Sequence, residues 1–378
     1  MRILILTTQD RFFLSHVSER ASYFKAHGCQ LAVVAQKTSD DLVHKIRSMG
    51  FDFYDSKIER QSLNPYSQIK ALFRLFKIVK KFKPDLSYHL GAKAIFYGTF
   101  ISKCYNLNTK IVNAPIGLGF VYASQTKKAK FLKPLVEVLY KLFLNPRGSK
   151  VILENHDDLD YFVKKKYANP DDVFCISGAG VDINIFSPLP FSERNSVCTV
   201  VMASRLIREK GVSDFVEVST QLYKKGIAVR MQLVGMPDIG NPSSLSMREF
   251  TSIKNNPAIE CLGFREDMPN LLKKAHICCL PSYYREGLPR ILIEAASSGL
   301  VIITTDTVGC REAVRDGNGF LIPPHDIKAM CETVEFLVKN PDILQVMCQR
   351  SRKVAEKYYD TSIVCRRTWE IFKTLIVD

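Results

Sequence analysis

The 378-residue sequence contains no run of eighteen or more apolar residues, which excludes an ordinary transmembrane helix. No C-x-x-C occurs among its 11 cysteines, and their number is odd. The first apolar run, residues 1–6, is too short for a signal peptide and leads into a strand-and-turn pattern at 7–10. Together these absences predict free thiols in a reducing cytosol, mostly as small core residues. No G-x-G-x-x-G follows a strand, which disfavours a dehydrogenase. Internal repeats and low-complexity tracts are absent as well.

Basic residues are abundant. The net charge is +15, of which residues 1–190 carry about +12 and the remainder about +3. A basic half suits an anionic partner: nucleic acid, an anionic membrane surface or a phosphorylated acceptor. A merely soluble basic surface would look the same. No recognised nucleic-acid-binding module accompanies the charge, so no nucleic-acid partner is expected.

Short apolar strands at 2–7, 31–35, 51–53, 86–89, 110–113, 151–155 and 173–177 alternate with helical stretches. That alternation predicts a parallel sheet covered on both faces. After Pro188-Leu189-Pro190 the pattern restarts, with strands at 198–204, 229–235, 259–263, 277–281, 301–305 and 320–323. The polar segment 189–196 reads as a linker. The expected fold class is therefore α/β, with two doubly wound, Rossmann-like parallel sheets and a cleft between them. Open sheets of this kind bind ligands at the carboxyl ends of their strands.

Residues 281–299, PSYYREGLPRILIEAASSG, stand out. Glu286 lies in a loop punctuated by glycine and proline; Glu294, seven intervening residues later, is a lone acid in an apolar run. Pro289 suits a first helical residue and Gly299 a helix stop. Strand, loop and helix in that order leave backbone amides and a helix dipole ready for a phosphate. An acid in the first turns can reach a sugar hydroxyl of a nucleotide, and an acid in the loop can face what hangs from the phosphate. Two glutamates at this spacing also occur by chance in helical proteins.

The motif E-G-L-P-R-I-L-I-E-A, followed by Gly299, the strand at 301–305 and the loop at 306–312, resembles the E-x7-E signature of the retaining GT-B glycosyltransferases of family four. The resemblance implies a GT-B fold whose last helix crosses back to the first domain. Its domains would be an acceptor-side 1–190 with about 358–378, and a nucleotide-sugar-binding 191–357. It further implies that Glu286 faces the donor sugar and Glu294 holds the ribose. Gly287, Leu288 and Pro289 would lie along the diphosphate.

Segment 201–211, VMASRLIREKG, resembles the family's G-R-L-x-x-x-K-G, with Ser204 in place of glycine. Arg205 and Lys210 are then the diphosphate cations, a guanidinium fork and a point charge that neutralise the leaving group. His89 ends a first-domain strand where family members often carry a histidine near the transferred sugar; a satisfied core histidine is the plainer reading. In the loop after the first strand the chain has Phe12-Phe13-Leu14-Ser15-His16 where many members have a glycine pair. That segment, with 89–93 and 113–120, resembles a narrower bacterial branch that acts on undecaprenyl-diphosphate-linked sugars, often from UDP-N-acetylhexosamines. The resemblance implies that His16, Lys93 and Asn113 would lie on the acceptor side.

Two basic helical stretches, 69–83 and 126–144, suit the surface of an anionic bilayer, though either apolar face can equally pack on the sheet. Of the two, 126–144 is the better membrane candidate. The acidic run Asp157-Asp158-Leu159-Asp160 reads as a helix cap rather than a metal site. The expectation is a metal-independent hexosyltransferase with no cofactor beyond a nucleotide-sugar co-substrate. It would work in the cytoplasm, peripheral to the inner face of the membrane, on a lipid-linked or polysaccharide acceptor. The rival readings are a nucleotide-sugar 2-epimerase of the same fold and a non-catalytic nucleic-acid binder.

Overall fold

The computed structural model describes residues 1–58, 64–105, 108–117, 122 and 127–376. The chain forms two compact units, one of residues 1–179 with 361–378 and one of residues 180–360.

In the first unit, β1 (Arg2–Gln9) buries Ile3, Leu4, Ile5 and Leu6 in succession. An unbroken apolar run suits a parallel strand covered on both faces. β2 (Gln30–Gln36), β3 (Asp52–Asp55), β4 (Leu86–Leu90), β5 (Lys110–Ala114), β6 (Ser149–Leu153) and β7 (Val173–Cys175) complete the sheet. Its order is β3-β2-β1-β4-β5-β6-β7, parallel throughout. Ile3, Ile5, Val33 and Tyr88 pack on one helical layer, which includes the terminal helix Thr361–Thr374. Leu4, Leu6, Ala32 and Val34 pack on the other, which includes helix Pro65–Phe82. Phe372 and Trp369 hold the terminal helix, with ring centroids 4.8 and 5.7 Å from that of Phe24.

The second unit contains β8 (Cys198–Ala203), β9 (Val229–Val234), β10 (Glu260–Gly263), β11 (Ile277–Leu280), β12 (Val301–Thr305) and β13 (Gly319–Ile322). They form a parallel sheet of order β10-β9-β8-β11-β12-β13. This unit starts at Gly180 rather than after the polar segment 189–196. The reason is packing. Phe186 is buried in the second core, Ser297 Oγ donates to its carbonyl at 2.6 Å, and Val181 bridges Asp360. Nor is 189–196 a free linker: Arg194 is buried and donates from Nη1 to the carbonyls of Ala275 (3.0 Å) and Gly299 (2.9 Å).

Several expectations for the first unit are corrected. Residues 12–16 do not form a loop; helix Asp10–His16 starts directly at the end of β1. Buried Asp10 anchors it by accepting from the Thr38 amide (2.6 Å), and Phe13 enters the core. His89 lies inside the first unit. Tyr88 and Leu90 point to one layer and His89, fully buried, to the other, where its ring packs on Gly98 of helix Ala92–Tyr105. Asn113, which the resemblance put on the acceptor side, is fully buried beside it. Its amide nitrogen donates to Leu144 O (2.7 Å) and Phe143 O (3.1 Å), which turns its oxygen toward His89 Nδ1 at 2.8 Å. The imidazole is therefore protonated at Nδ1 and bare at Nε2, which has no partner among the described residues.

Burial lowers the His89 pKa from its ordinary 6.5 to about 4, against a small opposing effect of Asn113. In the second unit His276, which accepts the Thr199 amide at Nδ1 (3.2 Å), is lowered to about 4 by burial and then by the Arg194 charge. A lowered folded pKa means that the unfolded chain takes up the proton first. Stability from each group is full above about pH 6.5 and is lost as pH falls from there toward 4. Chemical denaturation from pH 7 to 5 is expected to show a loss of about 2 kcal/mol per histidine. A His89→Gln variant should flatten part of that slope. Equal slopes in variant and wild type would contradict the burial argument.

Candidate active site

β11 lies between β8 and β12, so the loops leaving the carboxyl ends of these strands, 204–211, 281–289 and 306–311, are neighbours. Two glycines let them close on one another. Gly211 has φ +76°, and a Cβ there would run into the Pro281 carbonyl. Gly309 has φ +84°, and a Cβ there would run into the carbonyl oxygens of Glu286 and Gly287. Both require a left-handed backbone and a close approach that only glycine permits.

Ser282 ties the three loops together. Its carbonyl accepts from Thr307 Oγ1 (3.0 Å) and Thr305 Oγ1, while the next amide, that of Tyr283, donates to Glu209 O at 2.9 Å. Its hydroxyl donates to Glu286 Oε1 at 2.8 Å. The other carboxylate oxygen of Glu286 meets Lys210 Nζ at 2.5 Å, and each of these two side chains is only 13% exposed. The structure thus brings together Lys210 and Glu286, which are 76 residues apart.

Glu294 lies on helix Arg290–Ser297, 12% exposed, with Oε1 2.6 Å from Arg290 Nε. Burial pushes its carboxyl above the ordinary range, and the Arg290 charge opposes this. Pro289 is the residue before the helix rather than its first: its φ of −60° is helical, but its ψ of 120° is extended. As N-cap, Pro289 makes no side-chain capping hydrogen bond. Leu288 is buried in the second core, so its side chain anchors the loop and leaves only its backbone for a ligand. Arg205 does not join Lys210 at Glu286. Its Nη1 pairs with Asp238 Oδ2 at 2.7 Å, and Asn241 Nδ2 holds the same oxygen at 3.0 Å.

In the first unit His16 closes helix Asp10–His16, stacked on Phe12 at 4.4 Å with Nδ1 2.6 Å from Ser15 Oγ. Lys93 is half-buried in the first turn of helix Ala92–Tyr105, which follows β4. Of the motif 113–120, residues 118–120 lie outside the described residues. The acidic run 157–160 belongs to helix His156–Lys164, but the cap is Asn155, which accepts the Asp158 amide at 2.7 Å and donates to its carboxylate at 2.9 Å. Sequence reasoning missed Ser282 and Asp238. Both stand just past a strand end, β11 and β9, and that position was the available signal.

The description "Glycosyl transferase 4-like" matches residues 2–155, and "Glycosyl transferases group 1" matches residues 197–340. The chain is 27% identical over 349 residues to an N,N'-diacetylbacillosaminyl-diphospho-undecaprenol alpha-1,3-N-acetylgalactosaminyltransferase of Campylobacter jejuni, covering 89% of each. It is 24% identical to a UDP-Gal:alpha-D-GlcNAc-diphosphoundecaprenol alpha-1,3-galactosyltransferase of Escherichia coli, over 77% of this chain and 76% of that one. In fold it is similar to Anabaena HepE, crystallised with UDP and glucose, with a TM-score of 0.79, 18% identity and 99% of each chain covered. The epimerase reading finds no support among these. Two parallel sheets, the glycine-closed loops of the second and both family matches lead to one assignment: the chain belongs to the GT-B glycosyltransferases, with a glycosyl transferase 4-like first half and a glycosyl transferases group 1 second half.

Proposed function

We propose that this glycosyltransferase moves a hexose or N-acetylhexosamine from a UDP-sugar to an undecaprenyl-diphosphate-linked saccharide, with retention at the anomeric carbon. The observation that carries the proposal is the Lys210–Glu286 pair, held by Ser282 where three loops converge at the carboxyl edge of the second sheet. The names of the Campylobacter and Escherichia relatives support the choice of acceptor, and the second also supports the donor.

In this reading the donor diphosphate takes Lys210 from Glu286, and Glu286 turns to the hydroxyls of the sugar. Gly287, Pro289 and the backbone of Leu288 run along the diphosphate, beside the start of helix Arg290–Ser297. Glu294 holds a ribose hydroxyl. The bond from the anomeric carbon to the phosphate oxygen breaks, and the acceptor hydroxyl oxygen bonds to that carbon on the same face. Its proton passes to the departing phosphate oxygen, and no protein nucleophile is required. Lys210 and Arg205 neutralise the leaving diphosphate, the work that a divalent cation does elsewhere, so transfer is metal-independent. His16 and Lys93, on segments that leave the adjacent strands β1 and β4, act on the acceptor side.

The acceptor reading extends to the membrane. Among the described residues no helix is long and apolar enough to cross one. Helix Lys127–Phe143 exposes Phe131 (85%), Leu135 (57%), Val138 (53%) and Leu142 (57%). Their spacing of four, three and four puts them on one face. Lys130 and Lys141 on the same helix are exposed. An apolar stripe among lysines suits the anionic inner face of the cytoplasmic membrane. Helix Pro65–Phe82 adds exposed Tyr66, Ile69 and Phe73, although its Leu75, Ile78, Val79 and Phe82 are buried.

Glu286→Gln and Lys210→Ala are each expected to lower transfer by roughly a hundredfold or more, with melting temperatures close to wild type. Lys210→Ala should also weaken UDP binding in calorimetry, whereas Glu286→Gln should not. Full transfer by either variant, or loss of the wild-type rate in EDTA, would count against the proposal. Gly309→Ala should cost about 1–3 kcal/mol in denaturant titrations and abolish transfer. Phe131→Ser combined with Leu135→Ser should weaken sedimentation with phosphatidylglycerol vesicles by roughly tenfold or more while leaving UDP binding intact. Unchanged sedimentation would remove the stripe from the membrane reading.

A further inference from the structure

A cavity of about 540 Å³ opens at the amino ends of β5 and β6, the opposite end of the first sheet from the loops that follow β1 and β4. Ser102, Lys103, Thr109, Lys110, Arg147 and Ser149 are among its lining residues. Lys103, Lys110 and Arg147 make no ion pair among the described residues. The carboxylate of Asp85, whose carbonyl accepts the Lys110 amide, is committed to the Arg2 amide at 2.7 Å. Three cations therefore border one hollow with no carboxylate salt-bridged to any of them among the described residues.

The hydroxyls at its wall are unequal. Ser149 Oγ donates to Pro146 O at 2.6 Å and Thr109 Oγ1 to Pro84 O at 3.3 Å. Ser102, 1% exposed, has a buried Oγ with no partner among the described residues. An orphaned hydroxyl at that depth calls for a missing acceptor. A phosphate oxygen meets that need and the three positive charges together.

Apolar surface adjoins the cavity. Phe100, 44% exposed, is three residues before Lys103 on helix Ala92–Tyr105 and so shares its face. Its ring lies 6.3 Å from that of Phe143, the residue after exposed Leu142. Phe100 thus meets the carboxyl-terminal end of the helix that carries the exposed stripe of Leu142, Val138, Leu135 and Phe131. A free phosphate would use the hollow alone, whereas a phospholipid would use both hollow and stripe.

We propose that the cavity between Lys103, Lys110 and Arg147 binds the phosphate headgroup of an anionic phospholipid, whose acyl chains lie along Phe100 and the exposed face of helix Lys127–Phe143. This deepens the membrane reading above and rests on it for orientation, but the site can be measured without a bilayer.

The test is calorimetric titration of the full chain with monomeric short-chain phosphatidylglycerol, with inorganic phosphate and short-chain phosphatidylcholine as separate arms. One-to-one, saturable binding of phosphatidylglycerol is expected, weakened at least roughly tenfold by Lys103→Ala with Arg147→Ala. Ser102→Val should weaken it too, while UDP binding stays unchanged in both variants. Inorganic phosphate binding as tightly as the lipid would overturn the phospholipid assignment. Equal binding by wild type and the double variant, or no saturable binding, would overturn the site. The Phe131→Ser, Leu135→Ser variant separates the two readings: if it still sediments with vesicles while the monomeric lipid binds at the cavity, the stripe fails and the headgroup site stands.

Discussion

The contact between Lys210 and Glu286 sets the terms for the rest of the second unit. Two opposite charges this close attract by several kcal/mol at an intermediate dielectric, and removing both from water cancels much of that gain. The pair is thus ordered but replaceable. A diphosphate offers the ammonium more negative charge than one carboxylate does, and the helix start beside it adds a favourable dipole. The pair exists because the loops after β8, β11 and β12 approach within backbone contact. Gly211 and Gly309 make that approach sterically possible, and Ser282 fixes it with hydrogen bonds to two of the loops.

Much of this was legible in the sequence because buried parallel strands are apolar without alternation. Ile3 to Leu6 read as a two-sided strand, as did 31–35 and 301–305, and all three are buried strands. Strand ends then located the loops, and the resemblance of two motifs singled out Arg205, Lys210, Glu286 and, on the helix that follows, Glu294. Which cation meets which acid was not legible. Arg205 turns to Asp238 and Lys210 to Glu286 because of where β9 and β11 end in space, and nothing local to either residue encodes that. The unit boundary was misplaced for a related reason. A segment rich in proline looks like a linker, but Arg194 finds four backbone carbonyls within reach, and burial follows from those long-range partners.

His89 and Asn113 show a different limit. Side chains on a strand alternate, and in a sheet covered on both faces one residue of parity decides which of two buried layers receives them. Tyr88 and Leu90 occupy one helical layer, so His89 is committed to the other. There the missing side chain of Gly98 leaves room for an imidazole, and Asn113 supplies its partner. The sequence carried both halves of this arrangement, a histidine on one strand and a glycine on the next helix. Only the helix register joins them.

The charge imbalance between the two halves acquires a physical meaning from how the cations are partnered. In the second unit several cations near the loops are matched: Arg205 with Asp238, Arg208 with Glu249, Lys210 with Glu286, Arg290 with Glu294, Arg311 with Asp306 and Arg315 with Glu312. A matched cation has a fixed position, which suits a site that must receive one anion in one geometry. In the first unit Lys70, Lys77, Lys80 and Lys81 of helix Pro65–Phe82, and Lys130 and Lys141 of helix Lys127–Phe143, form no ion pair among the described residues. Long unpaired lysines beside exposed aromatic and aliphatic side chains can rearrange around a soft, laterally mobile anionic surface, which fixed pairs cannot do. The two halves therefore differ in how their positive charge is held, partly in fixed ion pairs in one and on unpaired lysines in the other. The net charge of +15 is the residue of that second, unmatched population.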